Sequence, residues 1–289
     1  MIATLINNQT NSLDCLPIAR MCDLAQLDRR TYYRLMGRAQ VGQGHIHLRD
    51  HIQRIALEWP SYGYRRVTHE LGRQGILANN KLVLRLMRED NLLCLRKRHF
   101  VTTTDSRHSL PIYPNLSGRM RLSGIDELWV ADITYIRLLR EFVYLAVILD
   151  AFSRRCIGWA LERHLRAELA VEALKKAIAA RGVKEGLVHH SDRGVQYASA
   201  DYTGLLEEHG IQISMSRRGN AYDNAKAERF MRTLKYEEVY MNEYEDMFEA
   251  RERIGHFLEE VYNGKRLHSA LGYVPPAEFE QSLLSASTP

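Results

Sequence analysis

The order of apolar and polar residues divides the chain near residue 125. Before this point, apolar residues recur at every third or fourth position, which is the spacing of amphipathic helices. From Ile125 onward, alternating or wholly apolar runs of strand length stand between helical stretches. The pattern predicts an all-α front part joined to an α/β rear part.

Two groups of short helices are predicted in the front part. In the first group, one helix runs from Pro17 to Leu24, and a second, capped by Asp28, ends at Gly37. This spacing resembles a helix-turn-helix, although any helical hairpin would show it. The second group has a helix that ends before Pro60, a helix that opens at Tyr62 and closes at Gly75, and a helix capped by Asn79 or Asn80.

Three cations share one face of the last of these helices. Lys81, Arg85 and Arg88 stand at i, i+4 and i+7, with Arg65 and Arg66 before them and a basic run at residues 96–98 after them. Such a face is usually only a solvated surface. Together with the basic residues before and after it, this face predicts a surface that binds DNA phosphates.

Net charge follows the same division. Residues 1–124 carry 19 Lys and Arg against 9 Asp and Glu, a net charge of +10, whereas residues 125–289 carry 21 against 26, a net charge of −5. This distribution favours a nucleic-acid-binding front attached to a metal-binding rear. Chance variation among solvated surfaces is the alternative.

The cysteines and the apolar runs indicate in which cellular compartment the protein works. The four cysteines are scattered without a C-x-x-C pair, which argues against a zinc knuckle or a disulfide framework. No secretory signal is evident, and the apolar runs are too short to span a bilayer. We expect a cytoplasmic, nucleoid-associated protein that has no membrane partner.

The rear part opens with three predicted strands whose short connections make them an antiparallel meander. Helices and strands then alternate. The predicted strands lie at residues 128–138, 142–149, 156–161, 186–188 and 211–215, and the helices at residues 167–180, 200–209 and 224–235. This is the layout of the ribonuclease-H-like fold, in the α/β (α+β) class.

Three carboxylates stand where this fold would display a site. Asp132 interrupts the first strand, Asp192 follows the short fourth strand, and Glu228 lies on the last predicted helix. Carboxylate oxygens are preferred ligands of Mg²⁺, and two such ions can activate a nucleophile and neutralise a leaving oxygen in phosphodiester chemistry. We therefore predict that all three are catalytic and bind Mg²⁺, with Mn²⁺ as a substitute. Without metal, the site should be loose or should contain raised pKa values.

The helix that carries Glu228 also carries two cations on the same stripe. Glu228, Arg232 and Lys235 stand at i, i+4 and i+7. We predict that Arg232 and Lys235 bind DNA phosphate beside the acids. The alternative is an ordinary i,i+4 ion pair between Glu228 and Arg232, worth about 0.3–0.5 kcal/mol.

Four other polar residues invite a functional interpretation. His189 and His190 are consecutive strand residues that face opposite ways, so the run His-His-Ser-Asp cannot form a Ser-His-Asp relay. We expect one of the two histidines to pack or hydrogen-bond near the metals. Asp150 is expected to be a turn cap rather than a fourth acid, and Asp223 the N-cap of its helix.

A series of short motifs occurs in the order of a known family. They are Tyr62-Gly-Tyr-Arg-Arg66, Ala131-Asp-Ile-Thr-Tyr-Ile136, Tyr144-Leu-Ala-Val-Ile-Leu-Asp150, Ser153-Arg-Arg155, His189-His-Ser-Asp-Arg-Gly-Val-Gln-Tyr197, Tyr222-Asp-Asn-Ala225, Leu234-Lys-Tyr-Glu237 and Arg266-Leu-His-Ser-Ala-Leu-Gly-Tyr273. These motifs, with 35 residues between Asp192 and Glu228, resemble the integrase core of bacterial insertion-sequence transposases. More narrowly, the chain resembles the second-frame product (OrfB) of the insertion-sequence family numbered three.

The resemblance implies a DDE recombinase that cleaves DNA 3′ ends with metal-activated water and then performs strand transfer. Asp132, Asp192 and Glu228 match the family's metal-binding triad, and Lys235 matches its basic residue. The implied partners are double-stranded DNA, as terminal inverted repeats and target, and an upstream-frame product joined by frameshifting. Pairing of two element ends also implies a homo-oligomer, at least a dimer.

Two other functions fit the same residues. One is a non-catalytic DNA-binding regulator whose core serves only for oligomerisation, although the presence of all three acids argues against it. The other is a ribonuclease-H-like hydrolase that cuts without strand transfer.

The predicted organisation has five segments. They are a helix-turn-helix-like segment at 1–50, a second small helical DNA-binding domain at 51–98, a linker at 99–123, the integrase or ribonuclease-H-like catalytic core at 124–282, and a tail at 283–289.

Overall fold

The chain forms two compact units. The computed structural model describes residues 18–32 except 25 and 27, 45–93, 110–217 and 221–286. One unit lies within residues 1–95 and the other within residues 96–289. The predicted change from a helical front to an α/β rear is confirmed.

The first unit is built from helices. Helix α1 spans Ile18–Leu24, and residues 29–32 are helical as predicted, whereas the rest of that predicted helix lies outside the described residues. Three longer helices follow and contact one another: α2 (Ile46–Glu58), α3 (Tyr64–Arg73) and α4 (Asn80–Glu89). Their buried apolar residues are Ile52, Ile55, Val67, Leu71, Val83, Leu86 and Met87. The side chain of Asn79 caps α4 by accepting the N–H of Lys81 at 2.8 Å.

The second unit contains a five-stranded sheet in the order β3-β2-β1-β4-β5. The strands are β1 (Leu128–Arg137), β2 (Phe142–Asp150), β3 (Cys156–Glu162), β4 (Val188–Ser191) and β5 (Gln212–Met215). The first three are antiparallel neighbours, whereas β4 runs parallel to β1 and to β5. Short connections permit the antiparallel pairs, and the parallel pairs need helical crossovers.

Helices of the second unit cover both faces of this sheet. They are α5 (Ala167–Arg181), α6 (Ala200–Glu208), α7 (Ala225–Glu237), α8 (Met247–His256), which continues as a π-helix at Phe257–Tyr262, and α9 (Pro276–Ala286). Single 3-10 turns lie at Ser117–Arg119, Ala221–Asn224, Val239–Met241 and Ser269–Leu271.

Each face of the sheet has its own apolar core. Trp129 and Ile148 pack with α5 and α6 on one face, whereas Val130 and Val147 pack with α7 and α8 on the other. Successive strand residues thus enter opposite cores, as the alternation of strands requires. On β3, a Cβ at Gly158 would lie only 2.4 Å from a backbone oxygen of α5, so glycine permits this close approach.

The described part of the predicted linker, residues 110–123, belongs to the second unit and packs on the rest of it. The N–H of Leu116 donates to Oγ of Ser214 at 2.9 Å, and Leu116, Met120 and Leu122 pack against an apolar core. Helices α2 and α9 also run through the predicted boundaries at residues 50/51 and 282/283. The limits of the domains stay a prediction.

Candidate active site

Strand pairing sets two of the predicted acids side by side. Strands β1 and β4 are parallel, with Val130 aligned to His190. Asp132 and Asp192 each follow two residues later, so they meet at the same edge of the sheet. The β1–β4 pairing covers Leu128–Val130, and both acids therefore lie just beyond the last pair.

The carboxyl group of Asp132 interacts with three other predicted site residues, Asp192, Glu228 and Lys235. Its pKa is raised to about 8, first by burial and next by the carboxylate of Asp192, with a smaller contribution from Glu228. The N–H of Ile133, which donates to Oδ1 of Asp132 at 2.9 Å, and the ammonium group of Lys235 favour the charged form. The fold thus brings residues from β1, β4 and α7 into one neighbourhood.

Helix α7 presents Glu228, Arg232 and Lys235 beside these strands. Glu228 and Arg232 are exposed at the surface of α7. Partial desolvation of its carboxyl group raises the pKa of Glu228, and the charge of Arg232 opposes this shift without cancelling it. Nζ of Lys235 lies 4.8 Å from the ring centre of Tyr135 on β1. Among the described residues, no three His, Cys, Asp or Glu side chains are close enough together to hold a metal ion. The three acids are therefore neighbours rather than an assembled set of ligands.

The turn after β4 orients Asp192. Its Oδ1 accepts the N–H of Gly194 at 2.8 Å, and a Cβ at Gly194 would come within 3.0 Å of the same oxygen. Nε of Arg193 donates to the carbonyl oxygen of Ser216 at 2.7 Å, which ties the turn to the end of β5. The sequence Asp-Arg-Gly therefore holds the carboxylate at the sheet edge.

Both histidines of the motif are fully buried and hydrogen-bonded. Nε2 of His189 lies 2.9 Å from the hydroxyl of Tyr202, and the two ring nitrogens of His190 lie 2.8 Å and 3.1 Å from the hydroxyls of Ser214 and Ser216. Burial lowers the pKa of His189 to about 3 and that of His190 to about 4. Both rings are neutral at pH 7, and both pack and hydrogen-bond, where we expected only one to do so.

Asp150 is confirmed as a turn cap. Its Oδ1 accepts the N–H groups of Phe152 and Ser153 at 2.9 Å and 2.6 Å, and its Oδ2 accepts that of Asp126 at 2.7 Å. These bonds hold the connection between β2 and β3.

The prediction that Asp223 caps its helix is wrong, because a 3-10 turn at residues 221–224 delays the start of α7. Asn224 occupies the N-cap position instead. Asp223 pairs with Arg217, accepting the backbone N–H at 2.8 Å and a guanidinium N–H at 3.0 Å. Hydrogen bonding from the Arg217 side chain lowers the pKa of Asp223 to about 2.

The cations predicted to bind DNA in the first unit are displayed on α3 and α4. Lys81, Arg85 and Arg88 are exposed, although Arg85 lies 3.8 Å from Glu89. The guanidinium groups of Arg65 and Arg66 lie 5.4 Å and 5.2 Å from tyrosine ring centres. Their DNA contacts stay a prediction.

One feature of the site was not predicted from the sequence. An apolar groove opens beside Asp192, with Tyr135, Phe142 and Tyr144 among its lining residues. Tyr135 and Tyr144 are cross-strand partners, so the period of two places them on one face of the sheet. No local pattern shows that this face stays uncovered.

Three family models match the chain. Two models described as "Integrase core domain" match residues 124–221 and 209–276, and one described as "HTH-like domain" matches residues 46–100. The helix-turn-helix-like match thus covers α2, α3 and α4 rather than the earlier helical pair.

None of the helices in the described residues has both the length and the apolar character that crossing a membrane requires.

Known proteins resemble the chain over most of its length. The "uncharacterized 31 kDa protein" of insertion element IS600 from Shigella sonnei is 39% identical over 76% of this chain and 82% of its own. Transposase InsF of insertion sequence IS3A from Escherichia coli is 33% identical over 93% of this chain and 95% of its own. The catalytic core of BIV integrase, at 19% identity, matches 57% of this chain and 99% of its own with a TM-score of 0.44. The two sequence relatives show that the chain belongs to the integrase-core transposases of bacterial insertion sequences, in the family of the IS3 transposase InsF.

Proposed function

We propose that the chain is a DDE transposase that cleaves the 3′ ends of its insertion sequence and joins them to target DNA in a metal-dependent reaction. The observation that carries this proposal is that Asp132 and Asp192 lie side by side just beyond the last β1–β4 pair, with Glu228 and Lys235 of α7 near enough to affect the pKa of Asp132. The three neighbouring carboxylates come from separate elements, and the ammonium group of Lys235, which suits DNA phosphate, lies near Asp132.

The donor set fits a divalent metal. Carboxylate oxygens are the ligands that Mg²⁺ prefers, with Mn²⁺ as the expected substitute. The raised pKa of Asp132 supports the fit, because burial and the nearby carboxylate of Asp192 disfavour its charged form, which a bound cation would favour. We propose Asp132, Asp192 and Glu228 as the ligands, which close in as metal is loaded. When bound, the metal lowers the pKa of water and stabilises charge at the phosphate.

The cations have two separate tasks in this proposal. Lys235 and Arg232 hold the phosphate backbone next to the acids. Lys81, Arg85 and Arg88 on α4, with the α3 arginines, bind phosphates of the duplex and position the protein on it. The substrates are the terminal inverted repeats and the target DNA.

Assembly follows from the reaction. Two element ends have to be brought together, so we propose at least a dimer on DNA. An upstream-frame product, supplied by frameshifting, is the proposed partner in the cell, and the site of action is the nucleoid in the cytoplasm.

The test is nicking of a labelled duplex that carries the element end, in Mg²⁺ and in EDTA. Asp192→Asn keeps the oxygen that accepts the N–H of Gly194 but removes the charge, and we expect it to lower nicking about a hundredfold or more. Asp201→Asn, at an exposed acid on α6, is the matched control and should cut normally. Sequence-specific binding without any metal-dependent nicking would contradict the proposal and favour a regulator. Nicks that are never joined would favour a hydrolase.

A further inference from the structure

The groove beside Asp192 has a volume of about 560 Å³, which lies within the usual range for ligand pockets. It runs between the β1–β2 hairpin and the turn that follows β4. Its lining residues are Ile133, Thr134, Tyr135, Phe142, Tyr144, Leu165, Asp192, Gly194, Val195, Gln196 and Tyr197. The groove therefore shares Asp192 with the proposed catalytic site.

Aromatic and aliphatic side chains dominate this lining, and three of them are well exposed to solvent. The ring of Phe142 is 51% exposed, Val195 is 41% exposed and Leu165 is 38% exposed. Phe142 meets Tyr135 edge to face, with 5.8 Å between ring centres. Exposed apolar surface that adjoins a site of charged residues commonly marks a place where a ligand binds.

The charges around the groove select the kind of ligand. Asp192 is the one charged group among the described lining residues, so an anion would be repelled from the interior. Nζ of Lys235 lies 4.8 Å from the ring centre of Tyr135, which lines the groove. A neutral flat ring that carries a phosphate fits this arrangement, with the ring inside and the phosphate toward Lys235.

A polar group also lies in the lining. The hydroxyl of Tyr197 is buried and has no hydrogen-bond partner within the described residues, and Tyr197 as a whole is only 3% exposed. Buried polar groups are nearly always paired in native proteins. A ligand with hydrogen-bonding edges, such as a nucleobase, would supply a partner after a small movement of the ring.

We propose that this groove binds one unstacked base of the cleaved DNA strand, next to the scissile phosphate, with Phe142 and Tyr135 as its stacking surfaces. The inference rests on the proposed function, since the phosphate that anchors the base is the one that the acids would act on. Stacking on aromatic side chains stabilises bound bases, and this gain offsets the cost of unstacking a base from the duplex.

The experiment uses the full chain and a duplex of the element end in which 2-aminopurine replaces one base at a time around the cleavage site. Binding is measured in Ca²⁺, which prevents cutting, by anisotropy and by 2-aminopurine fluorescence. We expect one position next to the scissile phosphate to change its fluorescence on binding. Phe142→Ala should abolish that change and weaken binding about 5- to 100-fold, whereas Phe142→Trp should retain both.

Two controls make the outcome decisive. Phe248→Ala removes another exposed aromatic ring, 77% exposed on α8, and should leave both readouts unchanged. An abasic nucleotide at the responding position should make wild type and Phe142→Ala bind equally. Equal binding of wild type and Phe142→Ala to intact DNA, or a defect that persists on abasic DNA, would overturn the proposal. Neither readout requires cutting, so a failure of the proposed enzyme activity would show separately, as absence of nicking in Mg²⁺.

Discussion

The ionisation of Asp132 is opposed by its surroundings. Burial, Asp192 and Glu228 raise its pKa to about 8, compared with about 3.9 for an aspartate in an unfolded chain. Between these two values the folded protein keeps a proton that the unfolded chain has released. The metal-free protein must therefore lose stability as the pH rises through this range.

We expect the metal-free protein to lose about 1 kcal/mol of unfolding free energy between pH 7 and pH 8. Below pH 7, His189 and His190 have the opposite effect on stability. Their pKa values are lowered in the folded protein, so the unfolding free energy rises with pH up to about 6.5. Urea unfolding in EDTA at the two pH values measures the loss. Asp132→Asn cannot ionise and should abolish it, and an equal loss in that variant would assign the effect to another group.

A second prediction concerns His190, whose ring bridges the hydroxyls of Ser214 and Ser216. His190→Phe leaves two buried hydroxyl groups short of a partner, and we expect it to lower the unfolding free energy by about 1–3 kcal/mol. Urea unfolding measures this cost, with His209→Phe, at a partly exposed histidine on the surface of the same unit, as the control. If His190 were instead a metal ligand, its replacement would abolish stabilisation by Mg²⁺, which we expect to persist.

Among the elements, helix α9 is tied to the second unit by one buried carboxylate. Glu280 is 3% exposed, accepts a hydrogen bond from Arg155 at 2.7 Å and forms an ion pair with Arg181. Arg181 ends α5, and Arg155 precedes β3. The single side chain of Glu280 thus connects three elements.

We expect Glu280→Gln to destabilise the attachment of α9 by about 1–3 kcal/mol, because Arg155 loses its carboxylate partner and Arg181 keeps only Asp126, at 3.7 Å. Hydrogen exchange of the α9 amides measures this, and their protection should fall more than that of the β1 amides. Glu260→Gln, at an exposed glutamate, should change neither. Uniform loss of protection across the unit would contradict a local role.

Elements were more predictable than the contacts between distant side chains. The strands and α7 could be placed because their apolar residues follow fixed periods. The sequence did not predict the pairing of Asp223 with Arg217 or the burial of Glu280, because a local pattern does not reveal which distant group a charged side chain will contact. The packing of residues 110–123 could not be predicted for the same reason, since Leu116 and Met120 pack individually on the core.

Over the whole molecule, the separation of charge is the property that the sequence gives most directly. In the first unit, basic residues lie on the exposed face of α4. In the second unit, the candidate active site combines acids with a few cations. The neighbourhood of Asp132 and Asp192 followed from their positions beyond paired strands. The open groove beside them did not, because exposure depends on what the entire unit leaves uncovered.

We expect the triple variant Lys81→Gln, Arg85→Gln, Arg88→Gln to bind DNA more weakly and to reduce the slope of log affinity against log salt by about 1 for each DNA phosphate that it no longer neutralises. Anisotropy titrations at several salt concentrations measure this slope. The matched control, Lys175→Gln, Lys184→Gln, Lys265→Gln, removes the same net charge from exposed lysines of the second unit. An equal reduction in both variants would mean that net charge, and not the α4 face, determines binding.

The hydrogen bond between Oδ1 of Asp132 and the N–H of its own neighbour, Ile133, has a consequence for detecting an incoming ion. A cation that binds this oxygen would compete with the N–H of Ile133 for it. The hydrogen bond from that N–H would then weaken or break. Occupancy would then be readable at a main-chain atom, as a displaced resonance or a faster exchange rate at residue 133. Binding of the cation could thus be followed at the amide of residue 133, without a label and without DNA cleavage.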